Sequence, residues 1–337
     1  MTLGVGFVGA GGIARVHLAN LRQIGDVAVR AVSDVEKDRA EAAAAPWGAR
    51  AYTDCMDMLD GEALDAVYVC VPPAMHGSLE IELAEKGLPF YIEKPLHLDL
   101  VVAAQVDSMA REKNLVTAVG YQLRYSAAVA AARDQLADRQ LTLAQGFYLG
   151  GLPGAAWWRR KALSGGQVLE QSTHIYDLLR YLAGEVESVY AVASTGAMTD
   201  VEGYDVEDAS VALLEFSNGA VGQVVSSCVL TGGGEPHMGL RFDARGYTLK
   251  LTWDTLEVAD GGERRTDCFP EPAGGWTGRA DRTFLEAVRN HDGSPVRSDY
   301  SDGLHTLALT LAVNKSLATC EPVSPAELLM AASHGCT

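Results

Sequence analysis

The sequence lacks the features that mark membrane, secreted and zinc-binding proteins. No apolar run approaches the 18 or so residues of a membrane-spanning helix, and the first residues carry no basic stretch of the signal-peptide type. The six cysteines are scattered and form no Cys-x-x-Cys pair, which is unfavourable for a zinc knuckle or a disulfide framework. We therefore expect a reduced, cytoplasmic protein without a resident metal.

Positive charge is also scarce. Lysine and arginine total 27 against 44 acidic residues, and the formal net charge of -17 repels phosphate backbones and anionic lipid. Nucleic acids and membrane surfaces are therefore not expected partners. Aromatic residues make up only 7% while glycine numbers 35 in 337 residues, which favours a sheet-rich α/β protein over a helix bundle. This length is typical of two domains.

Short apolar segments alternate with helical patterns through residues 1–121. The predicted strands are Leu3–Val8, Val27–Ser33, Asp65–Val71, Phe90–Ile92 and Leu115–Val119. The predicted helices are Ile13–Ile24, Glu36–Ala45, Ser78–Lys86 and Leu98–Lys113. This alternation predicts an α/β Rossmann domain with a doubly wound parallel sheet.

Residues 122–337 contain mainly strand-like segments that follow one another along the chain. The predicted strands are Leu141–Leu149, Val186–Ser194, Ala209–Phe216, Ala220–Val229, Met238–Ala244 and Tyr247–Trp253, with a hairpin turn at Ser217-Asn218-Gly219. The predicted helices are Gln167–Ala183, Arg279–Asn290 and Ser301–Ala318. We expect a second, α+β domain with a large and mainly antiparallel sheet.

A dinucleotide-binding pattern follows the first predicted strand. The run Gly9-Ala10-Gly11-Gly12-Ile13-Ala14 has the form G-x-G-x-x-A and opens the first helix, whose N-terminus offers N–H groups to a pyrophosphate. Asp34 ends the next strand, 20 residues beyond Ala14, where it would bind the adenosine ribose hydroxyls and repel a 2′-phosphate. NAD is therefore favoured over NADP. The alternatives are that the glycines serve only a tight turn and that Asp34 is only a helix N-cap.

Two further segments end strands at the same edge of the predicted sheet, where doubly wound folds bind ligands. One is Val71-Pro72-Pro73-Ala74-Met75-His76, whose prolines form a stiff apolar wall suited to a nicotinamide ring. The other is Glu93-Lys94-Pro95, which places Lys94 over the cofactor crevice. We expect Pro72, Pro73, His76, Glu93 and Lys94 to line the cofactor site.

With these motifs the sequence resembles the glucose–fructose oxidoreductase / inositol dehydrogenase (Gfo/Idh/MocA) family along essentially its whole length. The resemblance rests on GAGGIA, VPPxxH, EKP, GYQLRY at Gly120–Tyr125 and SGGQVLEQSTHIYD at Ser164–Asp177. It implies an NAD(P)-dependent dehydrogenase or reductase acting on CH–OH groups of a sugar, cyclitol or polyol. It also implies a cis Lys94–Pro95 peptide and a homodimer or homotetramer formed through the second-domain sheet.

The resemblance further assigns a catalytic set. Glu170, His174 and Asp177 have the spacing of one helix face, with Glu170 standing where the family usually has Asp. His174 would accept the hydroxyl proton, and Lys94 would stabilise the developing alkoxide or help to relay the proton. Glu170 would orient His174 or hold a neighbouring substrate hydroxyl. Asp177 is the more structural member. The alternative for His174 is a satisfied core histidine.

A third group of residues is expected to contact cofactor or substrate. Gln122 is a predicted cofactor neighbour, and the predicted substrate contacts beyond Lys94 and His174 are Arg124, Tyr125, Trp157, Trp158 and Arg159. Aromatic faces stack on sugar rings and arginine binds hydroxyls or carboxylates, but the two tryptophans are equally well explained as core or interface anchors. His17, on the first helix, is interpreted as a packing residue.

Two other functions stay open at this level. In one, the same fold oxidises its substrate transiently to enable elimination or glycoside cleavage, and NAD is recycled. In the other, the protein is a non-catalytic dinucleotide sensor or scaffold; the presence of Lys94 and His174 is unfavourable for this reading.

Overall fold

A computed structural model describes residues 2–232, 234–272 and 274–334. The chain forms two compact units. The first consists of the chain up to Leu96, Gln105–Tyr125 and Pro272–Gly303, and the second of His97–Ala104, Ser126–Glu271 and the chain from Leu304 on. Each unit is therefore assembled from three segments. The predicted division into domains 1–121 and 122–337 stays a prediction.

The first unit contains a six-stranded parallel sheet in the order β3-β2-β1-β4-β5-β6, which confirms the doubly wound fold. Its strands are β1 (Leu3–Val8), β2 (Val27–Ser33), β3 (Arg50–Tyr52), β4 (Ala66–Val69), β5 (Phe90–Ile92) and β6 (Thr117–Val119). Strands β1, β4 and β5 are buried at every residue, as expected for apolar strands covered on both faces. Strand β3 was not predicted because its three residues are partly polar and largely exposed.

Twelve α-helices accompany the strands among the described residues. They are α1 (Gly12–Leu21), α2 (Lys37–Ala44), α3 (Cys55–Gly61), α4 (Ser78–Lys86), α5 (Leu100–Glu112), α6 (Ala127–Leu136), α7 (Lys161–Ser164), α8 (Gly166–Glu170), α9 (Thr173–Ala183), α10 (Gly275–Asn290), α11 (Tyr300–Thr319) and α12 (Pro325–His334). In the described part of the chain none is both long enough and apolar enough to cross a membrane. Helix α10 belongs to the first unit, where Phe284 and Leu285 join Phe7 and Leu18 in one buried core.

The second unit contains an eight-stranded sheet in the order β14-β13-β12-β11-β7-β10-β9-β8. Its strands are β7 (Leu141–Leu149), β8 (Val186–Ser194), β9 (Ala209–Phe216), β10 (Val221–Ser227), β11 (His237–Ala244), β12 (Tyr247–Leu251), β13 (Thr255–Asp260) and β14 (Glu263–Cys268). Among these described strands only β7 and β10 pair in parallel, so the predicted, mainly antiparallel sheet is confirmed. The predicted turn at Ser217–Gly219 joins β9 to β10, and Gly219 adopts a φ of +85° there.

One face of this sheet is buried and the opposite face is exposed near one edge. Strands β8 and β9 alternate between buried and exposed residues. The exposed positions nevertheless carry large apolar side chains, which form cross-strand pairs of Tyr190 with Leu213 and Val192 with Val211. With Val221 on β10 we call this surface the apolar face.

The predicted helix Gln167–Ala183 is wrong as a single element. It is broken into α8 and α9 at Gln171 and Ser172. The Ser172 N–H bonds to the carbonyl of Gln167, five residues earlier, and its hydroxyl donates to Ser226 Oγ at 2.7 Å. The extra residue in this turn and the competing side-chain bond interrupt the regular helical ladder.

Candidate functional site

The glycine-rich turn lies between the end of β1 and the start of α1. Gly9 has a φ of +90°, and a Cβ at this position would collide with the carbonyl of Cys70, so the turn requires glycine. Gly11 and Gly12 have no atom within 4 Å of an added Cβ, and no side chain caps the start of α1. Open space beside uncapped N–H groups at a helix N-terminus suits a pyrophosphate. The turn therefore fits a dinucleotide.

Asp34 joins this turn to the end of β2. Its Oδ2 accepts the Ala10 N–H at 2.9 Å and its Oδ1 accepts the Glu36 N–H at 2.9 Å. Glu36, not Asp34, is the N-cap residue of α2, which removes the helix-cap alternative. The guanidinium of Arg39, half-exposed, lies 3.6 Å from Oδ1. The carboxylate is therefore fixed beside the glycine-rich turn, at the position where a ribose is bound in Rossmann folds.

The proline segment after β4 forms a short 3-10 turn, Pro73–Met75, and ends at His76. His76 is buried, with its Nδ1 2.9 Å from the Leu96 carbonyl oxygen and its Nε2 3.0 Å from that of Val71. The ring thus ties the end of β4 to the chain just beyond Pro95. The structure gives His76 a bracing position, and its predicted contact with the cofactor stays a prediction.

The Glu93-Lys94-Pro95 turn follows β5. The Lys94–Pro95 peptide is cis, as predicted. Glu93 is buried, and its N–H bonds to the Val69 carbonyl of the neighbouring strand at 2.9 Å. Its carboxylate packs against Gly120, where an added Cβ would lie 2.6 Å from Oε1. Lys94 itself is half-buried at the strand end.

Behind this turn lies a buried charge cluster that sequence reasoning missed. The Nδ1 of His17 lies 2.6 Å from Asp281 Oδ1, and its Nε2 lies 3.1 Å from Glu93 Oε1. Asp281 also accepts a hydrogen bond from the Asn20 amide at 2.8 Å. Asp281 is 264 positions away from His17 in sequence, so no local pattern signals the pair. His17 is therefore a member of a polar network and not only a packing residue.

The segment after β6 forms a 3-10 turn, Gln122–Tyr125. Arg124 is buried, forms an ion pair with Asp302 at 2.7 Å and donates to the Arg297 carbonyl at 2.6 Å. The Tyr125 hydroxyl accepts the Arg297 N–H at 2.9 Å. Arg124 and Tyr125, both predicted substrate contacts, are thus bonded to residues of the 297–302 segment. Their contacts with substrate, and that of the half-buried Gln122 with cofactor, stay predictions.

In the second unit, Glu170 lies at the end of α8 and His174 in the first turn of α9. Glu170 is buried and accepts hydrogen bonds from Trp158 Nε1 and Gln171 Nε2, both at 2.6 Å. His174 is half-buried. Because the break between α8 and α9 separates them, Glu170 and His174 do not lie on one continuous helix.

Asp177 and the two tryptophans have mainly packing environments. Asp177 is buried and accepts a hydrogen bond from Thr306 Oγ1 at 3.0 Å, which agrees with a structural role. Trp158 is 1% exposed and holds the Glu170 carboxylate, so its face is not open to solvent. Trp157 and Arg159 are half-buried in the same 3-10 turn. Among the described residues no group of three or more metal-binding side chains comes together.

Two family models match the chain. Residues 3–121 match the model described as "Oxidoreductase family, NAD-binding Rossmann fold", and residues 140–247 match the "GFO/IDH/MocA C-terminal domain". The two matches follow one another in the order that the motifs predict.

Curated relatives extend the likeness over most of the chain. Myo-inositol 2-dehydrogenase of Thermotoga maritima is 26% identical over 322 residues, covering 93% of this chain and 96% of that protein. Scyllo-inositol 2-dehydrogenase (NAD(+)) of Bacillus subtilis is 30% identical over 228 residues, covering 65% and 66% respectively. A solved structure of levoglucosan dehydrogenase, in complex with NADH and levoglucosan, has a TM-score of 0.86 at 23% identity and covers 96% of this chain and 99% of that one. At this identity the structural likeness establishes the fold.

Proposed function

This chain belongs to the GFO/IDH/MocA family of oxidoreductases with an NAD-binding Rossmann fold, and from that premise we propose that it transfers a hydride between NAD and a carbinol or ketone carbon of a sugar, cyclitol or other polyol. The observation that carries the proposal is that one chain combines both family domains with a lysine at the end of β5 and a histidine in α9. Relatives named as inositol dehydrogenases support the substrate class.

NAD, when bound, supplies the hydride acceptor or donor, while the protein binds it and manages the proton. We propose that His174 accepts the hydroxyl proton during oxidation and returns it during reduction. Lys94 donates a hydrogen bond to the same oxygen and stabilises the charge that develops there. An arrangement of this kind needs no metal ion.

Glu170 and Asp177 are proposed as positioning groups. The Glu170 carboxylate accepts two N–H groups that hold it in one orientation, and in this proposal it orients His174 or binds a substrate hydroxyl. Its side chain is longer than that of the aspartate usual in the family, and Trp158 Nε1 donates a hydrogen bond to its carboxylate. Asp177, on α9, accepts a hydrogen bond from Thr306 of α11 and would hold α9 in place through that contact.

A panel of cyclitols, aldoses, anhydrosugars and sugar acids, assayed with NAD by NADH absorbance, tests this function. The expected result is saturable NADH formation with at least one of these substrates. Substrate consumption without net NADH would instead indicate transient oxidation followed by elimination or glycoside cleavage. NAD binding without turnover of any compound would indicate a dinucleotide sensor. Either result would contradict the proposal.

We also propose that the apolar face of the second-unit sheet binds a second copy of this chain. Its cross-strand pairs expose apolar side chains that a monomer would leave in water, with Leu213 and Val221 each more than half exposed. Light scattering coupled to gel filtration is expected to show a homodimer or homotetramer. Leu213→Glu is expected to reduce the assembled mass, whereas an unchanged mass would refute this surface. The cytoplasm stays the predicted location.

A further inference from the structure

Three distant segments of the first unit meet at one histidine. His17 lies on α1, Glu93 follows β5 and Asp281 lies on α10, at separations of 76 and 264 positions from His17. His17 is completely buried, and its two ring nitrogens each face a carboxylate, at 2.6 Å and 3.1 Å. A neutral imidazole has only one N–H, so between two carboxylates both contacts are hydrogen bonds only when the ring is the imidazolium ion.

The other groups packed against His17 are neutral, so the positive charge of this cluster lies on His17. Asn20 adds a neutral amide bonded to Asp281, and the rings of Tyr68 and Tyr91 lie 5.3 Å and 4.9 Å from the imidazole. Burial, reinforced by the nearby carboxylates, raises the pKa of both tyrosines and of Cys70 well above their ordinary values, so all three are neutral. The cluster therefore consists of the carboxylates of Asp281 and Glu93, bridged by the imidazolium of His17. Lys94 directly follows Glu93 in sequence.

Glu93 is held from three directions. Its carboxylate bonds to His17 on one side and packs on Gly120 on another, where there is no room for a Cβ. Its N–H bonds to Val69 of the adjacent strand. Since Glu93 immediately precedes Lys94, fixing its side chain and backbone limits where the lysine amine can be placed.

We propose that His17, itself fixed by Asp281, is a positioning residue that anchors Glu93 and thereby sets the placement of Lys94. The inference rests on the proposed function, because the value of placing Lys94 lies in its contact with the substrate oxygen. His17 is not a catalytic residue in this scheme: it lies within the fold and acts through Glu93. Helix α1 begins at the glycine-rich turn, so one helix connects the phosphate-binding turn to the lysine-bearing turn.

The first experiment does not depend on turnover. Lysine amines are dimethylated with ¹³C-formaldehyde in the NAD-bound wild type and in His17→Gln, and their methyl resonances are titrated with pH by NMR. The Lys94 signal is identified by its absence in Lys94→Arg. We expect the Lys94 signal to shift in position and in titration midpoint in His17→Gln, while the signals of the other six lysines stay unchanged.

The second experiment measures turnover with the substrate that the panel identifies. His17→Gln and Asp281→Asn are each expected to lower kcat on the order of 10- to 100-fold, while NAD affinity changes less than about threefold. Leu285→Ala is the matched control. It removes a fully buried apolar side chain from the same helix as Asp281 and leaves every polar side chain of the cluster in place, so it is expected to lower the melting temperature and to leave kcat nearly unchanged.

The outcomes separate this proposal from the proposed function. A Lys94 signal that is identical in wild type and His17→Gln overturns the positioning role, whatever the substrate. If no compound is turned over by the wild type, the proposed function fails while the lysine titration still decides the role of His17. If His17→Gln does not fold, Asp281→Asn is titrated in the same way, because it keeps the size of the side chain and removes its charge. Equal loss of kcat in Leu285→Ala would also overturn the proposal, since the effect would then follow stability alone.

Discussion

Raising the pH above neutrality is expected to destabilise the fold through His17. Burial by itself lowers the pKa of this histidine, but attraction to Asp281 and hydrogen bonds to Asp281 and Glu93 outweigh burial and raise its pKa from 6.5 to about 10. In the unfolded chain the imidazole has its ordinary pKa of about 6.5. Folded and unfolded states therefore bind different numbers of protons between these two values.

The direction in which the free energy of unfolding changes with pH depends on which state keeps the proton. Below pH 6.5 both states are protonated, and the stabilisation by the charged cluster is fully present. Between pH 6.5 and about 10 the unfolded chain has released the proton that folded His17 retains, so the free energy of unfolding falls as pH rises. The slope is about 1.4 kcal/mol per pH unit. Between pH 7 and 10 the loss is about 3–4 kcal/mol, a large part of the 5–15 kcal/mol typical of a folded protein.

Urea unfolding at half-unit pH steps from 6.5 to 10 measures this loss. Other groups titrate in the same range, so the informative quantity is the difference between wild type and His17→Gln. We expect the wild type to lose stability more steeply than the variant, by about 1.4 kcal/mol per pH unit. Parallel curves for the two proteins would refute the assignment of a buried imidazolium.

Three further predictions concern the site residues. Asp34→Asn is expected to narrow the preference for NAD over NADP, measured by titrating both cofactors, because it removes the charge that repels a 2′-phosphate. His174→Ala is expected to lower kcat by about 10²–10⁴ with NAD affinity nearly unchanged, and combining it with Lys94→Ala is expected to cost less than the sum of the two in steady-state kinetics. Trp158→Phe, which removes a hydrogen bond to the buried Glu170, is expected to lower the free energy of unfolding by about 1–3 kcal/mol in urea titrations.

Each of these predictions has a result that would contradict it. Equal or tighter binding of NADP by the wild type would contradict the role of Asp34. Additive effects of the two alanine variants would mean that His174 and Lys94 act independently. For Trp158, the matched control is the half-buried Trp157 of the same turn, and a Trp157→Phe variant as unstable as Trp158→Phe would show that the indole N–H is not the cause.

The central strands and the cofactor turn were predicted because short local patterns, apolar runs and a glycine motif, specify them. Apolar runs such as Leu3–Val8 and Phe90–Ile92 match the observed strands residue for residue, since strands buried on both faces are mainly apolar. The glycine-rich turn and Asp34 also lie where the motif places them. The short strand β3 and the charged strand β14 carry no such pattern, because exposed strands of this kind depend on their neighbours for pairing.

The features that escaped prediction depend on contacts between distant residues. The break between α8 and α9 involves a bond from Ser172 to Ser226, 54 positions away, which no helical periodicity reports. The charge on His17 depends on Asp281 in the same way. A lone histidine on an apolar helix face is normally a packing residue, and only its two carboxylate neighbours distinguish this one.

The order in which the chain is synthesised has a consequence for the dinucleotide-binding unit. All six of its strands precede Gln122, yet part of its core and the partner of His17 come from α10, near the other end of the chain. At about 5–20 residues per second, a ribosome adds the stretch between Gln122 and the end of α10 in on the order of 10–30 s. During that interval His17 and Glu93 have been made but Asp281 has not, and the apolar surface that Phe284 and Leu285 later cover is open. The nascent sheet therefore stays without α10 for this interval. We expect a chaperone to bind its uncovered apolar surface during that time.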